Sequence, residues 1–235
     1  MKRGVPIAAA MSALILAAGL ADAAPAPRRT AASVPAATDW TRRTSMTERG
    51  AYVLGNPAAK VRLVEYLSYT CSHCAHFVKE AETALKRDYV SRGTAAVELR
   101  HAVRDPFDYA AALLARCGGA ERFFGNTEAI LAAQPQWLAK AEAYNGPRAA
   151  TVDDGLRAVA KASGLDRLMI GRGLTAQQID ACLTDDAQQA ALGTMTEASF
   201  KRIQGTPSFE INGTVLADVH SWDTLEPQIK AALAR

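Results

Sequence analysis

Apolar residues follow three successive patterns between positions 61 and 103, and together these patterns predict an α/β unit. Residues 61–67 are apolar at nearly every position and rich in strand-forming types, as in a strand that is buried on both faces. The next apolar side chains recur at helical spacing on one face: Cys74, Phe77, Val78, Ala81 and Leu85. Residues 96–103 then alternate apolar and polar positions over most of their length. A strand, a helix and a strand of these lengths predict a βαβ unit with a parallel strand pair.

The middle of the chain, about 108–203, has the pattern of several helices separated by glycine and proline breaks. The predicted helices are 109–117, 127–133, 152–162, 175–183 and 187–203. Residues 207–216 return to a strand pattern, in which Asn212-Gly213 predicts the turn of a β-hairpin. A final amphipathic helix is predicted at 222–233. The predicted domain covers 49–235, with a large helical insertion between a βαβ half and a ββα half.

The N-terminal residues have the three-part pattern of a secretory signal peptide. Lys2 and Arg3 form a basic start, residues 4–20 carry no charge, and Ala21-Asp22-Ala23 offers small residues at the positions that signal peptidase reads. The alternative is an uncleaved membrane anchor, for which this uncharged run is short. We expect a signal peptide at 1–23 and export to an oxidising compartment. Residues 24–48, rich in Pro, Ala, Thr and Arg, predict a flexible N-terminal segment.

The composition fits a globular protein. Of the 235 residues, 49% are hydrophobic and 22% are charged, which excludes wholesale disorder, collagen and coiled coil. The 27 basic and 24 acidic residues are too closely balanced to indicate nucleic acid as a partner. The four cysteines are too few for a small domain held together by disulfides, so each pair needs its own interpretation.

Cys71 and Cys74 lie two residues apart at the predicted junction of strand and helix, which is a redox motif when a βαβ unit carries it. Cys71 would occupy the helix N-cap, where unpaired backbone N–H groups and the helix dipole favour a thiolate. Cys74 would lie one turn further along on the buried face, as a resolving thiol should. His73 between them adds a neighbour able to stabilise the Cys71 thiolate by charge or hydrogen bonding.

The same two cysteines also occur in three other kinds of site. A c-type haem site requires histidine directly after the second cysteine, and position 75 is alanine, which excludes it. A zinc site using Cys71, Cys74 and His73 or His76 lacks a second CxxC or a paired histidine motif, so no metal site is predicted. A purely structural disulfide remains an alternative, although its position at a helix N-terminus with an enclosed histidine favours redox chemistry.

The segment VEYLSYTCSHC at 64–74, followed much later by Gly205-Thr206-Pro207, resembles the DsbA-like thiol–disulfide oxidoreductases of the thioredoxin superfamily. The resemblance covers about residues 50–235, including the helical insertion. It implies a thioredoxin fold and a periplasmic enzyme without a cofactor, which donates its disulfide to reduced exported proteins. It also implies a DsbB-like membrane protein as the partner that reoxidises it. We expect a monomer, because residues 24–48 are too short and polar for a dimerisation domain.

The resemblance assigns roles to six residues. Cys71 would be the solvent-facing, attacking cysteine, Cys74 its partner, and His73 the residue that tunes the redox potential. The remaining three are the buried acid Glu65, the cis-proline Pro207 and the substrate-binding Thr206.

The sequence around Glu65 and the chemistry of proline also bear on two of these assignments. Glu65 lies in an otherwise apolar run, which favours burial and a raised pKa over an exposed strand position. Pro207 lacks an N–H group and can therefore only begin a strand or lie at an edge.

Two residues depart from the pattern of the strongest oxidases in this family. Ser72 stands where the best-known members have proline, and Thr206 stands where valine is frequent. Threonine at the latter position is typical of the isomerase branch. A disulfide isomerase or reductase is therefore the nearest alternative, and a metal-handling chaperone using Cys71, Cys74 and His76 is a more distant one.

The other two cysteines, Cys117 and Cys182, fall on predicted helices of the insertion. They could be free buried thiols, which behave as small apolar residues. An even number of cysteines and an oxidising compartment favour a structural disulfide between them.

Overall fold

The structure, a computed structural model, describes Met1 and Thr38–Arg235. The predicted signal peptide at 1–23 and the greater part of the segment at 24–48 therefore lie outside the described residues. Within the described part of the chain, none of the helices combines the length and the apolar character needed to cross a bilayer.

Six strands form one mixed sheet in the order β1-β2-β4-β3-β5-β6. The strands are β1 (Thr44–Met46), β2 (Tyr52–Gly55), β3 (Val61–Leu67), β4 (Ala95–His101), β5 (Ser208–Ile211) and β6 (Thr214–Val215). The pair β3 and β4 is parallel and every other pair is antiparallel. The continuous apolar run predicted a central strand, and β3 confirms it, because it lies between β4 and β5 and is buried at six of its seven positions.

The nine helices of the described residues lie in three parts of the chain. Helix α1 (Ser72–Leu85) connects β3 to β4 and continues into a π-helical turn at Lys86–Val90, and α9 (Trp222–Ala234) follows the C-terminal hairpin. The other seven form the insertion between β4 and β5: α2 (Pro106–Arg116), α3 (Ala120–Ala132), α4 (Gln134–Glu142), α5 (Val152–Ser163), α6 (Leu165–Gly171), α7 (Ala176–Leu183) and α8 (Asp186–Phe200). The predicted fold class is thus confirmed, with a βαβ half, a large helical insertion and a ββα half.

The sequence patterns missed α4 and α6 and started α3 seven residues too late. The sequence pattern predicts a break at Pro135, but this residue occupies the first turn of α4, where proline removes no intrahelical hydrogen bond. Helix α6 follows directly on α5, because Gly164 adopts a left-handed conformation (φ 81°) that ends one helix and starts the next.

The prediction of a flexible segment at 24–48 is wrong for its described C-terminal part. Residues Trp40–Arg42 form a 3-10 turn, and β1 adds a strand to the edge of β2. The cause is backbone hydrogen bonding, which a pattern of side chains does not reveal. The amide of Gly55 donates to the carbonyl of Arg43 at 2.8 Å, and the amide of Thr47 donates to the carbonyl of Ala51 at 2.8 Å.

A disulfide joins Cys117, the C-cap of α2, to Cys182 in α7. The two cysteines are 65 residues apart in the sequence, so this bond closes a loop that contains α3 to α6. Both helices contribute to the apolar core of the insertion, in which Leu113, Ile179 and Leu183 are buried. The bond therefore joins two helices that pack into the same apolar core.

Replacing both Cys117 and Cys182 by alanine should lower the free energy of unfolding by about 4 kcal/mol, because the open chain regains the entropy of a 65-residue loop. Urea denaturation of the oxidised proteins measures this. The double variant should retain the two reactive thiols of Cys71 and Cys74 after reduction. An unchanged unfolding free energy would show that the bond does not constrain the chain.

Candidate active site

Cys71 is the N-cap residue of α1, directly after the loop that follows β3. Its backbone is extended (φ −87°, ψ 114°), and Cys74 lies one turn further along. Both are free thiols in this structure. Cys71 is 4% exposed and Cys74 is fully buried. Cys71 is therefore the more accessible of the two thiols, but it does not face solvent as the resemblance implies.

The pKa of Cys71 is lowered to about 4, far below that of an ordinary thiol. The largest cause is the hydrogen bond that the Cys74 thiol donates to the Cys71 sulfur. Thr206 and the charge of Arg104 also lower this pKa, whereas partial burial raises it. Burial raises the pKa of Cys74 well above its usual range, and the neighbouring Cys71 adds to this effect. At neutral pH the site therefore holds a thiolate on Cys71 and a protonated thiol on Cys74.

Thr206 and Pro207 lie beside the Cys71 sulfur. When protonated, the Cys71 thiol donates to the carbonyl oxygen of Thr206 at 3.1 Å. The Thr206 hydroxyl is buried and has no hydrogen-bond partner among the described residues. Hydrogen bonding with Thr206 is one of the effects that lower the Cys71 pKa. The Thr206–Pro207 peptide bond is cis, and Pro207 directly precedes β5. The Pro207 carbonyl is hydrogen-bonded to Nδ1 of His220 at 2.9 Å, a contact for which the sequence offered no signal.

Asp108 holds the loop before Cys71 from the first turn of α2. Its carboxylate accepts hydrogen bonds from the Ser68 hydroxyl at 2.6 Å, the Tyr69 amide at 2.7 Å and the Arg104 amide at 3.0 Å. Burial raises the pKa of Asp108 to about 6, although these three hydrogen bonds lower it. Sequence reasoning missed this residue. Its only signal was an acidic side chain in the first turn of a helix that follows a strand.

Arg104 connects the same loop to the sulfur chemistry. Its side chain donates to the hydroxyls of Ser68 at 2.9 Å and Thr70 at 3.2 Å. Thr70 in turn donates to Asp105, the N-cap of α2, at 2.6 Å. These bonds keep the guanidinium close enough for its charge to lower the Cys71 pKa.

Gln134 holds the loop from the opposite side. It is buried at the start of α4, and its side-chain amide donates to the carbonyls of Tyr69 at 2.7 Å and Cys71 at 2.9 Å. The sequence patterns predicted no helix here, so this contact was also missed. The helical insertion therefore fixes the reactive loop through two separate side chains, Asp108 and Gln134.

The two histidines near the motif are exposed on α1. Nε2 of His76 lies 2.8 Å from a carboxylate oxygen of Glu80, one turn away on the same helix. His73 lies between the cysteines, and the effects that lower the Cys71 pKa come from Cys74, Thr206 and Arg104. Its role in tuning the redox potential remains a prediction. In residues 38–235, no three His, Cys, Asp or Glu side chains are arranged to hold a metal ion.

Glu65 is buried in the centre of β3, where it is 5% exposed. Burial, and secondarily the charge of Glu82, raises its pKa to about 8. The charge of Glu65 also raises the pKa of Cys74, so the Glu65 carboxyl group lies near the Cys74 thiol. The alternative of an exposed strand residue is wrong. Glu65 is therefore mostly protonated at neutral pH, and its role in moving the Cys74 proton stays a prediction.

Comparisons with known proteins agree with this geometry. A family model described as thioredoxin matches residues 47–231. A Rickettsia conorii protein named as a protein-disulfide oxidoreductase is 31% identical over 183 residues, which cover 77% of this chain and 60% of that protein. One from Rickettsia typhi is 30% identical over 198 residues, covering 82% and 66%. The chain thus spans about three fifths to two thirds of the length of these curated relatives.

Solved structures show the same fold. A protein-disulfide isomerase from Novosphingobium aromaticivorans is 39% identical, with a TM-score of 0.72 over 78% of this chain and 97% of that one. The alpha-DsbA1 of Wolbachia pipientis is 19% identical, with a TM-score of 0.65 over 80% of this chain and 94% of that one. At that identity, the second likeness concerns the fold alone.

Replacing Gln134 by methionine should lower the free energy of unfolding by about 1–3 kcal/mol, because the Tyr69 carbonyl loses its buried hydrogen bond. It should also raise the Cys71 pKa above its wild-type value of about 4, because the loop that positions the sulfur is released on one side. Thiolate absorbance at 240 nm, followed against pH, measures the second effect. Gln136→Met, an exposed position on the same helix, is the matched control. Equal titrations for the two variants would refute the positioning role.

Proposed function

Since the chain belongs to the thioredoxin family, with DsbA-like proteins among its structural neighbours, we propose that it is a thiol–disulfide oxidoreductase that oxidises other proteins. The observation that carries the proposal is the opposite shift of the two thiol pKa values. A thiolate is strongly favoured on Cys71, whereas Cys74 is held protonated. Stabilising the reduced form in this way makes the corresponding disulfide a strong oxidant.

The reaction begins when a substrate thiolate attacks the Cys71 sulfur of the oxidised protein. The Cys71–Cys74 bond breaks, a bond forms between Cys71 and the substrate sulfur, and the electron pair passes to Cys74. Cys74 then takes up a proton, because its raised pKa disfavours the thiolate. A second substrate thiolate attacks the substrate sulfur of this mixed disulfide and releases Cys71 as a thiolate. The low pKa of Cys71 makes it a good leaving group in this step.

The reaction needs two kinds of partner, a reduced substrate and an electron acceptor. Reduced polypeptides would bind in extended form beside Thr206 and Pro207, which border the Cys71 sulfur. Each cycle leaves the chain with two thiols, so an electron acceptor must restore the disulfide. We assign this step to a DsbB-like membrane protein and expect the chain to act as a monomer.

An isomerase or reductase is the second candidate function. Thr206 precedes the cis-proline, as is typical of the isomerase branch, and the similar Novosphingobium protein is named a protein-disulfide isomerase. Such an enzyme acts from its reduced form, in which the Cys71 thiolate attacks a wrong disulfide in the substrate. The two functions use the same residues and differ in redox potential.

The oxidase function predicts a redox potential of the Cys71–Cys74 pair near about −120 mV rather than thioredoxin's about −270 mV. Equilibration with glutathione at pH 7 measures it. Cys71→Ser should abolish disulfide transfer to a reduced peptide, whereas Ser72→Ala, an exposed position inside the motif, should retain it. A value near −270 mV would favour the reductase, and transfer by Cys71→Ser would exclude Cys71 as the reacting group.

The same titration should show an unusual dependence on pH. Between the low pKa of Cys71 and the high pKa of Cys74, reduction by two electrons takes up only one proton. The potential should therefore fall by about 30 mV per pH unit as pH rises from 5 to 8, where a pair of ordinary thiols would give about 59 mV. The steeper slope would contradict a thiolate on Cys71.

We also propose that the protein is exported. The basic start, the uncharged run and the small residues at 21–23 support this. Sequencing the N-terminus of protein recovered from a periplasmic extract should give Ala24 as the first residue. Ala23→Arg should block the cleavage, because signal peptidase requires a small side chain there. Recovery of the uncleaved chain in the cytoplasm would contradict export.

A further inference from the structure

A large cavity lies on the face of the sheet opposite α1. Its volume is about 660 Å³, within the roughly 300–1,000 Å³ typical of small-molecule sites. Tyr66 of β3 and Arg100 of β4, which are paired in register, form part of its wall. Because successive side chains of a strand point to opposite faces, both lie on the other side of the sheet from Glu65. The remaining walls come from the turn after β1, the end of α2 and one side of α8.

Arg116, the last residue of α2, is a buried cation at the wall of this cavity. It is 5% exposed, and its side chain donates from Nε to Gln188 at 2.8 Å and from Nη2 to the Gly50 carbonyl at 3.0 Å. Both acceptor residues line the cavity, as Arg116 does, so the guanidinium lies at its wall. The third nitrogen, Nη1, is buried and has no hydrogen-bond partner among the residues that the structure describes.

The charge of Arg116 is not neutralised by an acid. Burial lowers its pKa, and the two groups that act against this effect are Tyr52 and Tyr69, neither of which is a carboxylate. The guanidinium lies 4.8 Å from the centroid of the Tyr52 ring, and such a contact compensates a buried cation only in part. Arginine nevertheless stays protonated in proteins. The unpaired buried charge therefore carries a desolvation cost that a bound anion would offset.

Three further arginines line the same cavity and add to its positive charge. Arg100 and Arg202 both donate to the Tyr66 hydroxyl, at 3.0 and 3.1 Å, so their guanidinium groups converge on one point. Acidic side chains pair with both of them but do not balance the total charge. The residues that line the cavity and their ion-pair partners comprise more arginines than glutamates: Arg49, Arg62, Arg100, Arg116 and Arg202 against Glu48, Glu98 and Glu210.

Apolar side chains form much of the remaining wall. Met46 extends from β1, and Ala191, Met195 and Ala198 lie along α8. An inorganic ion would leave these groups without contacts, whereas a molecule with an apolar body would cover them. Convergent cations beside apolar side chains are typical of a site for a small amphiphilic anion.

We propose that this cavity binds a small carboxylate with an apolar body. Its carboxylate group pairs with the Arg116 guanidinium, and its hydrocarbon part lies against the methionines and alanines of β1 and α8. A single negative charge fits, because a single buried cation lacks an acidic partner. The site is separate from the proposed redox function, since none of its lining residues belongs to the reactive loop or to the groups that hold it.

The test is a calorimetric titration of the oxidised full chain with octanoate at pH 7. Octanoate should bind saturably at one site. Acetate should bind at least about tenfold more weakly, because it lacks the apolar body. Octylamine, with the same hydrocarbon and the opposite charge, should not bind. Saturable binding of octylamine, equal affinities for acetate and octanoate, or no saturable binding of octanoate would each overturn the proposal.

Variants of three arginines locate the site. Arg116→Met should weaken octanoate binding about tenfold or more, as expected for a lost charge-assisted hydrogen bond. Arg49→Ala, at an exposed position of the lining, should weaken it about twofold to fivefold through the lost charge alone. Arg167→Ala removes an exposed arginine of α6 outside the lining and should bind as wild type.

Thermal unfolding shows whether each variant is folded. Equal affinities of folded Arg116→Met and Arg167→Ala would overturn the assignment of the carboxylate to Arg116. If Arg116→Met does not fold, the comparison of Arg49→Ala with Arg167→Ala decides in its place, and equal affinities there would overturn the site.

Discussion

The chemistry of this protein depends on keeping a negative charge on the Cys71 sulfur while the Cys74 thiol, one helical turn away, stays protonated. The charge is stabilised because the sulfur lies at the N-terminus of α1 and accepts hydrogen bonds from groups at fixed positions, of which the Cys74 thiol has the largest effect. Such hydrogen bonds persist only if the loop before Cys71 cannot move. Asp108 holds that loop from α2 and Gln134 holds it from α4, both through buried side chains. The helical insertion is therefore the support of the redox site as well as an addition to the sheet.

Burial raises the pKa of both active-site thiols, but only at Cys74 is it the largest effect. It raises the pKa of Cys74, so that this thiol is a poor leaving group unless a proton reaches it, and it raises the pKa of Glu65 for the same reason. A small cavity beside β3 is lined by Glu65 and by the charged side chains of Lys86 and Glu128.

Much of this architecture could be predicted from the chain alone. The continuous apolar run of β3, the helical spacing that begins at Cys74 and the Asn212-Gly213 turn each identify an element by local rules. The missed elements obey different rules. Helix α4 begins with a proline that the first turn of a helix tolerates, and β1 is held by backbone hydrogen bonds to β2, which no side-chain pattern reports. Asp108 and Gln134 were missed because their partners are backbone groups about 40 and 65 positions away in the chain.

The sequence by itself determined the reactive chemistry: two cysteines one helical turn apart at a strand-to-helix junction, an acid in an apolar strand and a late Thr-Pro. These are local features, since the spacing along a helix and the type of a side chain do not depend on the rest of the fold. The tertiary structure decided how strongly the Cys71 thiolate is favoured, how deeply Cys71 is covered, and which side chains hold the loop before it. Those properties arise from desolvation and from hydrogen bonds between residues far apart in the chain, and both exist only once the insertion has packed against the sheet.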